Sequence, residues 1–168
     1  MAIVGRIGGG IGGRDINCSY QNGSIQGRIG GAIFGWDVSL DIAGSSVAGR
    51  MGGLVAGRDI VATLWDQQVQ GRIGGVVNGI DVQLQLNGTH IFGRCGGDIF
   101  GFDCHLNFDQ QGQLTGRLGG DVFGKDVYMR LRPGINPLIG ALLACAVYYF
   151  IQIQSRRSSN SGGGSSGR

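Results

Sequence analysis

The chain has 168 residues, a formal net charge of +3, 42% hydrophobic residues and 15% charged residues, which fits one domain with a sizeable core and predicts no nucleic-acid partner. Its 36 glycines follow no three-residue period and apolar residues are spread throughout, which excludes a collagen-like fibre and a disordered chain. The first apolar stretch contains Arg6 and is too short for a secretory signal, so we expect a cytoplasmic protein.

A motif of Gly-Arg-apolar-Gly-Gly repeats along the chain. It begins at Gly5, Gly27, Gly49, Gly71, Gly93 and Gly116, at spacings of 22, 22, 22, 22 and 23 residues. An aspartate follows ten residues after each first glycine, at Asp15, Asp37, Asp59, Asp81, Asp103 and Asp126. A fixed period of this length indicates supersecondary units that stack on or pair with their neighbours.

Each unit alternates apolar and polar residues with the period of a half-buried strand. The middle of each unit holds two residues ending in glycine, of which Asn78-Gly79 is the clearest hairpin signal. A two-residue turn there places Val77 opposite Ile80, and the same register places Ile29 opposite Leu40. The pattern predicts six hairpins, hence twelve antiparallel strands, with polar loops of about four residues between units. A parallel β-solenoid with one coil per repeat is the alternative.

The segment 138–153 is apolar on all sides and follows two helix-start signals, Asn136 as a cap and Pro137 in the first turn. Twelve strands tilted by about 40° close into a barrel of roughly 12 Å radius, which one helix can fill. We therefore predict a 12-stranded antiparallel closed barrel over residues 1–154, with a buried C-terminal helix at about 137–153. Residues 155–168, rich in Ser and Gly, are predicted to be disordered. The alternative is a membrane anchor with Arg156 and Arg157 on its far side.

The predicted register also assigns the repeated charges and glycines. The first and last glycines of each motif point inward and let the wall approach the helix, whereas the penultimate glycine points outward, beneath an arginine stem. Arginines and aspartates face outward, and each aspartate pairs diagonally with the arginine of the next unit, as in Asp15–Arg28. Closure of the barrel then brings Asp126 near Arg6.

The sequence predicts no catalytic residue, cofactor or metal site. The four cysteines, Cys18, Cys95, Cys104 and Cys145, lack metal-ligand spacing and are interpreted as reduced core residues. His90 and His105 have no catalytic partner. Cys104 and His105 are adjacent in one strand, so their side chains point to opposite faces and cannot act together. We therefore expect a protein without enzymatic activity.

Two sets of residues are candidates for contact with a partner. Phe34, Phe100 and Phe123 occupy turn positions and form an apolar rim that contacts lipid, a protein partner or another copy, or else packs over the helix end. Four arginines have no matching aspartate and lie near the helix ends, where they favour an anionic membrane surface or are simply solvated. These are Arg130, Arg132, Arg156 and Arg157.

Six hairpins closing around an apolar C-terminal helix resemble the tubby-like superfamily, which includes tubby C-terminal domains, phospholipid scramblases and LURP-one-related proteins. The likeness covers the strands from about Ile3 to Arg132 and the apolar segment 136–150, and it concerns architecture without a diagnostic motif. It implies binding to membrane phospholipid, although the family's basic site has no counterpart here. We therefore expect a lipid-associated or scaffolding module in the cytoplasm or at a membrane surface. The alternatives are a self-assembling repeat protein and a tail-anchored protein.

Overall fold

The computed structural model describes residues 1–162 and contains twelve strands followed by one helix. The strands are β1 Ile3–Ile7, β2 Arg14–Gln21, β3 Ser24–Ile29, β4 Trp36–Ala43, β5 Ser46–Met51, β6 Arg58–Leu64, β7 Gln68–Ile73, β8 Ile80–Asn87, β9 His90–Cys95, β10 Phe102–Phe108, β11 Gln113–Leu118 and β12 Lys125–Leu131. The helix α1 spans Pro137–Ser161.

The twelve strands form one closed barrel in which every strand pairs antiparallel with its neighbours in sequence. Closure is made by β1 and β12, with Ile3 opposite Leu131 and Ile7 opposite Val127. The predicted closed 12-stranded antiparallel barrel is confirmed. The solenoid alternative is wrong, because successive coils of a solenoid pair in parallel.

The helix lies inside the barrel and forms its core. Every residue from Leu138 to Phe150 is buried, and Asn136 caps the helix by accepting a hydrogen bond from the amide of Leu138 at 2.9 Å. The helix packs closest to β1 and to strands β7–β12. By length and composition α1 could cross a membrane, but 72% of its most apolar 18-residue window is buried by the barrel. The apolar surface is thus covered by the protein's own strands.

The helix is longer than the sequence suggests, ending at Ser161 rather than near residue 153. Ile151 and Ile153 still pack partly against the core, and the Gln, Ser and Arg residues beyond them have ordinary helix propensities. Extending a formed helix is much easier than starting one, so the last turns continue into solvent. Residues 155–161 are therefore helical rather than a disordered tail, and residues 163–168 lie outside the described residues.

The pairing register differs by four residues from the predicted one. Ile80 pairs with Ile73 rather than Val77, and Trp36 rather than Leu40 pairs with Ile29. The connection inside each unit is therefore a six-residue loop, and the tight turns lie between units. One of these turns has positive φ at both Asn22 and Gly23, as a two-residue hairpin turn requires. An even shift keeps each side chain of the observed strands on its predicted face, whereas positions that now fall in the six-residue loops, such as Val77, leave the barrel wall.

The predicted diagonal ion pairs, including Asp15–Arg28, are wrong. Each arginine lies directly opposite the aspartate of its own unit, because the observed register, with its six-residue loop, aligns these two positions. Arg6 sits opposite Tyr128 on β12, two residues from Asp126, so these strands are adjacent as predicted, but Asp126 is bonded to Arg117. The observed pairs are Arg6–Asp15, Arg28–Asp37, Arg50–Asp59, Arg72–Asp81, Arg94–Asp103 and Arg117–Asp126, at 2.5–2.8 Å.

The glycines of the motif also have different roles from those predicted. A Cβ on Gly71, a first glycine, would lie 2.3 Å from the carbonyl oxygen of Val61, so this glycine lets two strands approach rather than wall and helix. The last glycine, such as Gly75, lies in open space. The penultimate glycines share a positive φ, which favours glycine, and a Cβ on Gly52 would also meet Phe150 of the helix.

Candidate functional site

Six long loops gather at one end of the barrel and connect the two strands of each unit. They span residues 8–13, 30–35, 52–57, 74–79, 96–101 and 119–124. In the fifth loop, the amide of Gly101 donates to the carbonyl of Gly97 at 2.8 Å, closing a tight helical turn. Arg94 donates to the carboxylate of Asp103 at 2.8 Å and to the carbonyl of Gly97 at 2.9 Å. The repeated arginine therefore fixes the loop to the barrel wall.

The tips of these loops carry a ring of exposed apolar side chains, which we call the crown. Its eleven members are between 72% and 98% exposed. They are Ile11, Ile33, Phe34, Leu54, Val55, Val76, Val77, Ile99, Phe100, Val122 and Phe123. Soluble proteins commonly expose single apolar side chains, but a ring of this size at one end is typical of a surface that contacts a membrane or another molecule.

The helix leaves the barrel through the centre of the crown. Tyr148 donates to the carbonyl of Phe123 at 3.2 Å and Tyr149 to that of Asn78 at 3.1 Å, so the helix holds two of the long loops directly. Phe150 packs on Trp36 with ring centroids 5.1 Å apart. Beyond the rim, the guanidinium of Arg156 lies 5.6 Å from the ring centroid of Phe100. The loops and the helix end thus form one surface.

Burial raises the pKa of the Tyr148 phenol, and the hydrogen bond with Gln152 and the charge of Arg117 offset only part of this effect. The phenol therefore stays protonated at neutral pH and keeps its bond to the sixth loop.

Positive charge accumulates at this end. Among residues 1–162, five cations here form no salt bridge: Arg14, Arg58, Lys125, Arg156 and Arg157. The crown loops add two carboxylates, Asp98 and Asp121. Three of the cations, Arg14, Lys125 and Arg156, line a groove of about 530 Å³ between the first loop, the sixth loop and the helix. The same groove is lined by Val122, Phe123 and Ile151, so it is cationic beside an apolar edge.

The residues predicted for partner contact fall at two separate places. Phe34, Phe100, Phe123, Arg156 and Arg157 lie at the crown end. Arg130 and Arg132 lie at the opposite end, at the close of β12, where Arg132 donates to the carbonyl of Tyr20 at 3.1 Å. The seven residues therefore cannot form one site.

Sequence reasoning missed eight of the eleven crown residues and the cations Arg14, Arg58 and Lys125. The reason is the assumed two-residue turn, which placed Val77 and its equivalents in strands. The signal was present in the repeat, because the second residue after Gly-Gly is apolar in all six units and has an apolar neighbour in five of them.

The cysteines contribute no reactive site. All four are free and buried, as predicted. Burial raises the pKa of the Cys18 thiol to about 11, and the pKa of Cys145 is raised by contact with Cys104 and Cys95 and by burial. Residues 1–162 contain no group of His, Cys, Asp or Glu side chains that could hold a metal ion.

No family model, curated protein or solved structure matches this chain. Nothing in these comparisons links the chain to the tubby-like superfamily, and that resemblance stays a prediction from the sequence.

Proposed function

We propose that the protein is a non-enzymatic barrel module that binds the surface of anionic membranes through its crown. The observation that carries this proposal is the ring of eleven exposed apolar side chains at the tips of the long loops. The opposite end of the barrel carries no comparable ring among the described residues, so the molecule has one apolar end.

The arrangement of the crown suits a planar, fluid partner. Its apolar side chains extend from six separate loops around the barrel mouth, and each side chain can enter the interface between headgroups and acyl chains independently. Removal of apolar surface from water contributes about 25 cal/mol per Å². Several Phe, Ile, Leu and Val side chains inserted together therefore provide substantial binding free energy without a shaped pocket.

Charge supports an anionic membrane. The five unpaired cations at this end outnumber the two carboxylates of the crown loops, and each Lys or Arg near an anionic surface contributes about 1 kcal/mol. The cationic groove lined by Arg14, Lys125 and Arg156 lies beside Phe123. A lipid whose headgroup phosphate binds in this groove can therefore place its acyl chains next to the apolar side chain. Arg156 also keeps a cation over Phe100 at the rim.

The helix does not serve as the anchor in this proposal. Its apolar residues from Leu138 to Phe150 are buried in the barrel, and releasing them into a bilayer would leave the barrel without a core. Membrane contact therefore comes from the loops, with the barrel remaining folded.

The test is flotation of the full chain with vesicles of phosphatidylcholine alone and with vesicles containing phosphatidylserine. The variant combines Phe34→Ser, Phe100→Ser and Phe123→Ser. The control combines Val61→Ser and Tyr128→Ser, which remove exposed apolar side chains from the outer wall away from the crown. We expect the native chain and the control to float with the serine-containing vesicles, and the triple variant to lose at least about tenfold in affinity.

Two outcomes would overturn the proposal. One is failure of the native chain to bind either vesicle. The other is a stable oligomer that the triple variant converts to monomer, which would assign the crown to a second copy of the chain, as expected for a self-assembling protein. Sedimentation of the native chain and the triple variant without lipid distinguishes that case.

A further inference from the structure

A groove lies at the end of the barrel opposite the crown, on the outer surface. It has a volume of about 1,000 Å³ and is bordered by the turn before β7, the end of β8 and the middle of β9. Trp65 stands in this groove with 44% of its surface exposed. Its backbone is fixed, because its amide donates to the carbonyl of Gln68 at 2.8 Å.

The six near-identical units provide an internal comparison for this groove. The position of Trp65 is held in other units by Gln21, Ala43 and Asn87, and the position of Phe92 by residues such as Gln26, Ala48 and Gln70. The turn that carries Trp65 also lacks the glycine found in the other inter-unit turns. Two aromatic residues that break the repeat pattern therefore meet at one groove.

Apart from Leu64 and Leu86, the remaining lining is polar and nearly uncharged. Side-chain amides come from Gln67, Gln68, Gln85 and Asn87, and the single charge is Asp66. Amides both donate and accept hydrogen bonds. With no cation among its lining residues, the groove is unsuited to phosphate, and a single carboxylate is too few ligands for a divalent cation.

We infer that this groove binds a neutral saccharide. The hydroxyls of a sugar match amide groups in both donor and acceptor roles. The C–H face of a pyranose ring, with its positive edge, packs on the negative face of an aromatic ring such as Trp65. The volume lies at the upper end of the roughly 300–1,000 Å³ of ligand pockets, so the ligand is an oligosaccharide rather than a single ring.

The aromatic surface continues beyond the groove. Phe92 and Gln85 also line a second, smaller depression of about 480 Å³, whose other lining residues are Gln83, Gly93, Arg94, Asp103 and His105. Along this strip the rings of Phe92 and His90 are stacked at 5.6 Å and those of His90 and His105 at 5.9 Å. A chain of sugar rings can therefore extend from Trp65 along the outer wall of β8–β10, towards the middle of the barrel.

The test is calorimetric titration of the full chain with cellohexaose, maltohexaose and chitohexaose, with a ten-residue polyproline peptide as the competing chemistry. The variants are Trp65→Ala, Trp65→Phe and Gln85→Ala. Gln26→Ala is the matched control, since it removes an exposed amide from the outer face of β3, outside the groove. Circular dichroism of each variant confirms that the barrel is folded.

We expect one hexasaccharide to bind the native chain and the Gln26→Ala control equally. Trp65→Ala is expected to weaken binding at least about tenfold, Gln85→Ala about threefold to tenfold, and Trp65→Phe to retain most of the affinity, because the aromatic face remains. Absence of binding by all three hexasaccharides at millimolar concentration would overturn the inference. Binding of the polyproline peptide alone would do the same and assign the groove to a peptide. Because the groove and the crown occupy opposite ends, these outcomes are independent of the membrane proposal.

Discussion

Arg94 and Asp103 lie directly opposite each other on β9 and β10 and are joined by a hydrogen-bonded ion pair of 2.8 Å. The same guanidinium bonds the carbonyl oxygens of Gly97 and Asp98 in the fifth loop. The pair recurs in all six units, so the motif that dominates the sequence positions the loops that carry the crown.

Replacing Arg94 by Gln should loosen the fifth loop more than replacing Asp103 by Asn. Arg94→Gln removes both the ion pair and the bonds to the loop carbonyls, whereas Asp103→Asn leaves the loop bonds in place. Because the pair is exposed, loss of the ion pair itself should cost at most about 1 kcal/mol of stability in either variant. Hydrogen exchange of the Gly101 amide measures how often the fifth loop opens, because this amide is bonded within the loop. Equal exchange rates in both variants would show that the arginine acts only through the aspartate.

Gly71→Ala should destabilise the barrel, because the new Cβ would lie 2.3 Å from the carbonyl oxygen of Val61 and close to Ala62. Overpacking of this kind typically costs about 1–3 kcal/mol, and a backbone clash can cost more. Gly75→Ala is the matched control, because nothing lies within 4 Å of its added Cβ. Urea unfolding of both variants gives the comparison. Equal stability of the two would show that the strands can separate at Gly71 without loss.

Stability should fall at alkaline pH partly through Cys18. Its pKa is raised to about 11 in the folded protein from an ordinary value of 9.0, so the unfolded chain releases the proton first. This thiol therefore does not change the free energy of unfolding below pH 9. Between pH 9 and 11 it lowers the free energy of unfolding by about 1.4 kcal/mol per pH unit.

Cys18→Ala tests this expectation, because Ala62 occupies the equivalent position in the third unit. Urea unfolding at pH 7.5, 9, 10 and 11 should show a shallower alkaline loss of stability in the variant. An identical pH profile in both proteins would mean that other groups cause the loss.

Removal of residues 135–168 should prevent the barrel from folding. The inward side chains of Ile16, Leu84 and Leu106 are fully buried, and without the helix the barrel's interior would be hollow. The loss exceeds the typical net stability of about 5–15 kcal/mol. In the full chain, hydrogen exchange of the amides from Ile139 to Phe150 should be as slow as that of the central strands. A soluble, folded barrel without the helix would contradict this expectation.

The structural features that depend on local sequence pattern could be predicted. The period of about 22 residues specified six hairpins, and the alternation within them identified the inward residues such as Ile16 and Leu84. Asn136 and Pro137 marked the start of the helix, since capping depends on neighbouring residues alone. The number of strands and the length of the apolar helix together predicted a closed barrel around that helix.

Only the tertiary structure decided the register in which neighbouring strands pair. A shift of four residues keeps the strand residues Ile73, Ile80 and Leu84 on their predicted face, so the sequence pattern fits both registers. The observed one is selected by close contact between strands at Gly71 and its equivalents, and by the bonds from each arginine to its own aspartate and loop. These contacts depend on side chains brought together in space. As a result, each unit has a six-residue loop where the sequence predicted a two-residue turn, and these loops form the crown.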